Sequence, residues 1–143
     1  MAVIYVVFYF IFGYFIAWQF PELREYYSGS SEILSFPVHM QQQFQSDPWL
    51  PIFQLLRGAI WAGMGLFIVS ALDRAMKWER FVIVGLSLSV GLSTLLLVPN
   101  PFMPSNVRFG HFFELLLENF IFGALLVWIF RSSFEDNSKT QSA

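Results

Sequence analysis

Cysteine is absent from the chain, so disulfide frameworks, thiol nucleophiles and thiolate metal sites are excluded. Imidazole is nearly as scarce, with His39 and His111 the only two histidines. Charged residues make up 13% of the sequence, the net charge is −2, and no run of Lys or Arg offers a nucleic acid a docking surface. Phosphate-binding glycine loops, zinc-binding histidine pairs, acyl-transfer triads and haem attachment sequences are also missing. Gly85-Leu86-Ser87-Leu88-Ser89 has part of the outline of a nucleophile elbow, but the second glycine is lacking and no strand precedes it.

Hydrocarbon takes the place of charge. Of 143 residues, 56% are hydrophobic and 20% aromatic, including 18 Phe. A small water-soluble core cannot enclose that many rings, whereas a bilayer solvates them on every side. The apolar residues fall in four runs, at residues 1–20, 52–72, 81–98 and 109–130. Each is long enough to cross a hydrocarbon layer of about 30 Å at about 1.5 Å per helical residue. The expected fold is an all-α integral membrane protein, four transmembrane helices in a single bundle.

The first run has no charged side chain. Tyr5, Phe8, Phe12 and Phe15 recur at helical spacing, and Gly13 and Ala17 give a small-xxx-small surface. A cleaved signal peptide would want a basic start and an A-x-A-like site. The run has neither and ends in Trp18-Gln19-Phe20-Pro21, so it reads as a retained span. Residues 21–51 form a net-acidic loop with Glu22, Glu25, Glu32 and Asp47 against Arg24. Pro21 to Tyr27 reads as an extension of the first helix past a kink, ended by Gly29. Ile33, Leu34, Phe36, Met40 and Phe44 suggest a segment lying on the membrane surface, with Pro37 interrupting the pattern. Asp47-Pro48 has the form of a helix start, and Trp49 suits the interfacial belt.

Gly58, Ala59, Ala62, Gly63 and Gly65 in the second span predict close helix packing. In the third span, Gly85, Ser89 and Ser93 share one face, with Ser87, Gly91 and Thr94 on the adjacent one. Pro99, Pro101 and Pro104 stop that span and stiffen the turn into the fourth, where Ser105 or Asn106 serves as cap. Residues 131–143 read as a polar, mobile tail. Placing the N-terminus inside puts Arg74, Lys77, Arg80, Arg131 and Lys139 inside, and only Arg24 and Arg108 outside. The positive-inside rule therefore favours an N-in, C-in topology, with the loop between spans one and two facing out and a bacterial cytoplasmic membrane as the setting.

The rare charges inside the spans are the functional signal. Arg57 and Glu114 both lie about 8 Å below the outer ends of their spans, and Glu118 about 13 Å below. His111, Glu114 and Glu118 stand at i, i+3 and i+7 and form one stripe. A charge facing lipid costs ~2.5–3.5 kcal/mol, and each Leu, Ile or Phe returns only ~0.3–0.6 kcal/mol, so the stripe should face the bundle. Protonation of one glutamate relieves the same cost.

Three readings follow. The first is an Arg57–Glu114/Glu118 ion pair fixing helix register, with Gln54 and Asn119 completing hydrogen bonds, in an accessory or assembly subunit of a larger membrane complex or homo-oligomer. The second is an outer-leaflet polar pocket of a transporter or membrane enzyme that binds a lipid headgroup, small solute or proton. There Glu114 or Glu118 titrates, Arg57 and Arg108 contact anions, and the stiff turn presents Asn100, Asn106 and Arg108 at the mouth. The third is a metal site from His111, Glu114 and Glu118. The other spans add no acidic ligand or histidine, and Arg57 would repel the ion, so no metal or cofactor is expected. The lipid bilayer is the one partner the composition requires, and catalysis is left open.

Overall fold

The structure is a computed structural model that describes residues 1–29, 34–72 and 75–140, with the side chains of 131–140 excepted. Glu32, Ile33 and Arg74, used above, lie outside the described residues. Six α-helices follow in order: α1 (Ala2–Phe15), α2 (Pro21–Ser28), α3 (Phe36–Ser46), α4 (Leu50–Ala71), α5 (Lys77–Ser93) and α6 (Ser105–Thr140). Short 3₁₀ turns extend α1 over Ala17–Gln19 and α5 over Thr94–Leu97. Four of these helical stretches are long and apolar enough to cross a membrane: Ala2–Gln19, Leu50–Ala71, Lys77–Leu97 and Ser105–Phe130.

Local chemistry explains where the helices begin and end. Phe20, which precedes Pro21, is forced into an extended conformation, so α2 is a separate helix and not the continuation of α1 that a simple kink would give. Gly29 closes α2 at φ 64, a left-handed position that costs glycine nothing, and its N–H reaches the Glu25 carbonyl. Pro37 interrupts nothing, because it falls in the first turn of α3, where its missing N–H is not needed. Asp47 Oδ1 accepts the Trp49 N–H at 3.1 Å, and α4 begins at Leu50, with Pro51 in its first turn. Glu79 reaches back to the Met76 N–H at 2.7 Å and caps α5. The expected polar tail is instead helical in backbone through Thr140, since no Gly or Pro interrupts residues 131–140.

The bundle keeps a set of polar side chains inside, beside its apolar core, and many apolar ones outside. Gln54, Ser89, Ser93, Glu114, Glu118 and Asn119 are buried, while Val3, Val7, Ile11, Phe67, Val90 and Leu117 are exposed. That distribution suits lipid as solvent and would be an aggregation hazard in water. The main core gathers Tyr5, Val69, Val84, Leu88, Phe122, Leu126 and Val127 from α1, α4, α5 and α6. A smaller one, of Ala17, Leu23 and Val107, sits beneath α2 at the end of the bundle that carries the loops.

Helices α5 and α6 meet backbone to backbone. A Cβ on Gly123 would lie 3.0 Å from Gly85 Cα, and Ser89 Oγ donates across to the Leu116 carbonyl at 2.6 Å. The small surface of α4 is narrower than the sequence suggests. Gly58 takes the Tyr5 side chain and Gly65 takes Leu126, but Ala59 and Gly63 are exposed. Ser87, Gly91 and Thr94 of α5 likewise face outward.

These contacts predict opposite outcomes for two glycines. Gly123→Val should lower stability by about 1–3 kcal/mol through overpacking. Gly63→Ala, with nothing within 4 Å of the added methyl, should be neutral or stabilising by up to about 1 kcal/mol. Thermal unfolding in detergent measures both.

Candidate functional site

The site is built where α2 seats on α6. Leu23 and Phe20 occupy the space over Gly110 that a Cβ would fill, which lets α2 approach closely. One helical turn beyond Leu23, Tyr27 then meets His111, the residue after Gly110. Tyr27 Oη lies 2.8 Å from His111 Nε2, and His111 Nδ1 lies 2.5 Å from Glu114 Oε2. Tyr27, His111 and Glu114 thus form one hydrogen-bonded chain. A second hydrogen bond, from Tyr26 Oη to the Phe102 carbonyl at 2.8 Å, fastens α2 to the proline-rich turn. Burial, and secondarily the Glu114 carboxylate, push the Tyr27 hydroxyl well above its ordinary range, so it keeps its proton. Against a neutral ring, Tyr27 donates to Nε2 and Nδ1–H donates to Glu114. A protonated ring donates at both ends, to Tyr27 and to Glu114. Both states of His111 are accommodated.

This chain forms part of the wall of a cavity of about 320 Å³. Helix α1 contributes Tyr9 and Gly13, and α4 contributes Gln54 and Arg57. Gly13 leaves room for the second Glu114 oxygen: a Cβ there would stand 3.5 Å from Oε1. Helix α3 covers the cavity with Phe36, His39, Met40 and Gln43, spaced to share one helical face. His39 stacks on Trp18 with ring centroids 4.6 Å apart and planes 22° apart. Burial holds the His39 imidazole below its ordinary range, with Gln43 opposing, so the stacked ring is neutral at pH 7.

Four of the residues expected at the site line this cavity: Arg57, Gln54, His111 and Glu114. The expected ion pair between Arg57 and the glutamates is not formed within 4 Å among the described residues; Glu114 has His111 as its partner instead. The Arg57 guanidinium sits over the Tyr5 ring at 5.7 Å, because Gly58 draws α1 against α4 and brings that ring beneath it. Gln54 is buried, and its carbonyl oxygen has no hydrogen-bond partner among the described residues.

Glu118 and Asn119 lie deeper, 1% and 0% exposed, and do not reach the cavity. Neither Glu118 oxygen has a partner among the described residues, and Asn119 donates to its own helix at Leu115 O, 2.8 Å away. Arg108 is not an anion contact of the cavity. Its Nη1 is held by the carbonyls of Leu96, at 3.2 Å, and of Val98, where the 3₁₀ turn leaves them unpaired. Asn100 and Asn106 are spent locally, Oδ1 of Asn100 accepting the Phe102 N–H at 2.9 Å and Oδ1 of Asn106 the Val107 N–H at 3.1 Å. Among the described residues no three histidine or acidic side chains converge as metal ligands.

Sequence reasoning missed Tyr9, Trp18, Tyr27, His39 and Gln43 as site residues. One signal was present: Phe36, His39, Met40 and Gln43 repeat at helical spacing directly behind a first-turn proline. Nothing local marked Tyr27, whose role depends on a contact 84 residues away. Comparison of the chain with protein families, with curated proteins and with solved structures finds no match.

Proposed function

We propose that this chain is a small multi-pass membrane protein with a ligand pocket at one end of its bundle, in which the Tyr27 hydroxyl relays a proton between the bound molecule and His111. The observation that carries the reading is the Tyr27–His111–Glu114 chain bordering the same cavity as Arg57, a cation with no ion-pair partner among the described residues. Glu114 orients the imidazole and Tyr27 caps its other nitrogen, so proton exchange with a ligand passes through the Tyr27 hydroxyl, which lines the cavity. Arg57 is placed to receive an anionic group or negative charge that develops during reaction. At about 320 Å³ the cavity is at the small end for ligand sites, which suits a headgroup or small solute more than a whole lipid.

Transport across the bundle has less support. Below Glu118 the helices close on Tyr5, Val84, Leu88, Phe122 and Leu126, all buried. That layer makes the cavity a blind pocket. The accessory-subunit reading rests on a direct Arg57–glutamate pair and on the exposed apolar helix faces. Those faces suit lipid equally well.

In our reading both termini lie inside a bacterial cytoplasmic membrane and the pocket faces out. Lys77 and Arg80 stand at the opposite end of the bundle from Arg24 and Arg108, in keeping with the positive-inside rule. In the naturally cysteine-free chain, Lys77→Cys should resist an impermeant thiol reagent in intact cells, and labelling there would reverse the orientation.

Native mass spectrometry of gently extracted protein tests the pocket. The wild type should carry a non-protein mass that Arg57→Gln and Gln54→Leu release while both variants stay folded. A second polypeptide at fixed stoichiometry, with no small molecule, would favour the accessory reading.

A further inference from the structure

The cavity presents two opposite charges that do not neutralise each other. Arg57 lines it from α4 and donates no hydrogen bond or ion pair to a described residue. Glu114 lines it from α6 and is 4% exposed. Among the described residues Oε2 of Glu114 is engaged by His111, while Oε1 lies near Gly13 without a hydrogen-bond partner. A charge held away from water is costly unless a partner arrives, and the half-buried Arg57 and the buried Glu114 border the same space. A simple anion would satisfy Arg57 and be repelled by Glu114. A simple cation would do the reverse. A single molecule carrying both signs satisfies both.

The remaining walls favour a particular cationic end. Tyr9, Tyr27 and Phe36 line the same cavity as Glu114. Aromatic faces beside a carboxylate attract an ammonium, including one whose nitrogen is fully alkylated and has no proton to donate. At the other end, the guanidinium of Arg57 matches phosphate or carboxylate oxygens.

We propose that the ligand is a zwitterion in which an anionic group is joined through a short linker to an ammonium, the anion held at Arg57 and the ammonium at Glu114 within the aromatic walls. The proposal rests on the pocket reading above and narrows it to one ligand class. A phospholipid headgroup and a free phosphodiester of the same kind share this chemistry.

Isothermal titration of the full chain in an uncharged detergent tests it with glycerophosphocholine, glycerol 3-phosphate and choline as probes. The zwitterion should bind at least about tenfold more tightly than either half, a difference of one well-made charged contact. Arg57→Gln should reduce glycerophosphocholine to the affinity of choline, and Glu114→Gln should reduce it to that of glycerol 3-phosphate. If Glu114→Gln does not fold, the wild-type ratios and Arg57→Gln still decide. Dihexanoylphosphatidylcholine identifies the source: tighter binding than glycerophosphocholine points to a lipid headgroup, equal binding to a free solute, and both support the zwitterion. Glycerol 3-phosphate or choline binding as tightly as the zwitterion overturns the proposal. So does failure of all the probes to bind, while the pocket itself stands or falls separately on the native mass measurement.

Discussion

A carboxylate on a long apolar helix is satisfied by a partner inside the protein, and Glu114 is the residue whose placement organises this end of the bundle. It is buried on α6 with one oxygen on His111 and the other beside Gly13. Turned to lipid, the same group would forfeit several apolar residues' worth of insertion energy. The neighbouring elements therefore serve its surroundings. Gly13 of α1 lies near the carboxyl, and Gly110 lets α2 come close enough for Tyr27 to hold the far nitrogen of His111. The amphipathic α3 then covers the polar space that remains.

Two kinds of buried polar group coexist on α6, and they differ in consequence. Glu114 and His111 belong to a hydrogen-bonded chain that borders an open cavity. Glu118 and Asn119 are deeper, above the apolar core of Tyr5, Phe122 and Leu126, and retain side-chain oxygens without a protein partner. The first group borders open space. The second marks the floor of the polar region, beyond which the helices pack through hydrocarbon and through the Gly85–Gly123 crossing.

Much of the fold was legible from a simple rule: long uncharged runs become helices, and rare charges turn inward. The four spans follow from that rule, as does the inward turn of His111, Glu114 and Glu118 along α6. The early starts of α4 and α6 follow from Pro51 and Pro104, which tolerate the first turn of a helix or its margin. The pairing of Arg57 was not legible. Depth along two spans places Arg57 and Glu114 in one layer, but depth says nothing about which helix stands between them, and α1 brings the Tyr5 ring beneath the guanidinium. Tyr27 and His39 were hidden for a similar reason. Each lies in a polar loop segment whose seat on the bundle is decided by contacts distant in sequence: Leu23 with Gly110 for one, Trp18 with His39 for the other.

The central claim is that Glu114 is partnered by His111, which leaves Arg57 available to a ligand. Double-mutant cycles at Glu114, read as unfolding free energy of ligand-free protein, test it most directly. The account predicts a coupling between Glu114→Gln and His111→Gln of about 1.5 kcal/mol or more, and a clearly smaller one between Glu114→Gln and Arg57→Gln. A larger coupling to Arg57 than to His111 would contradict it.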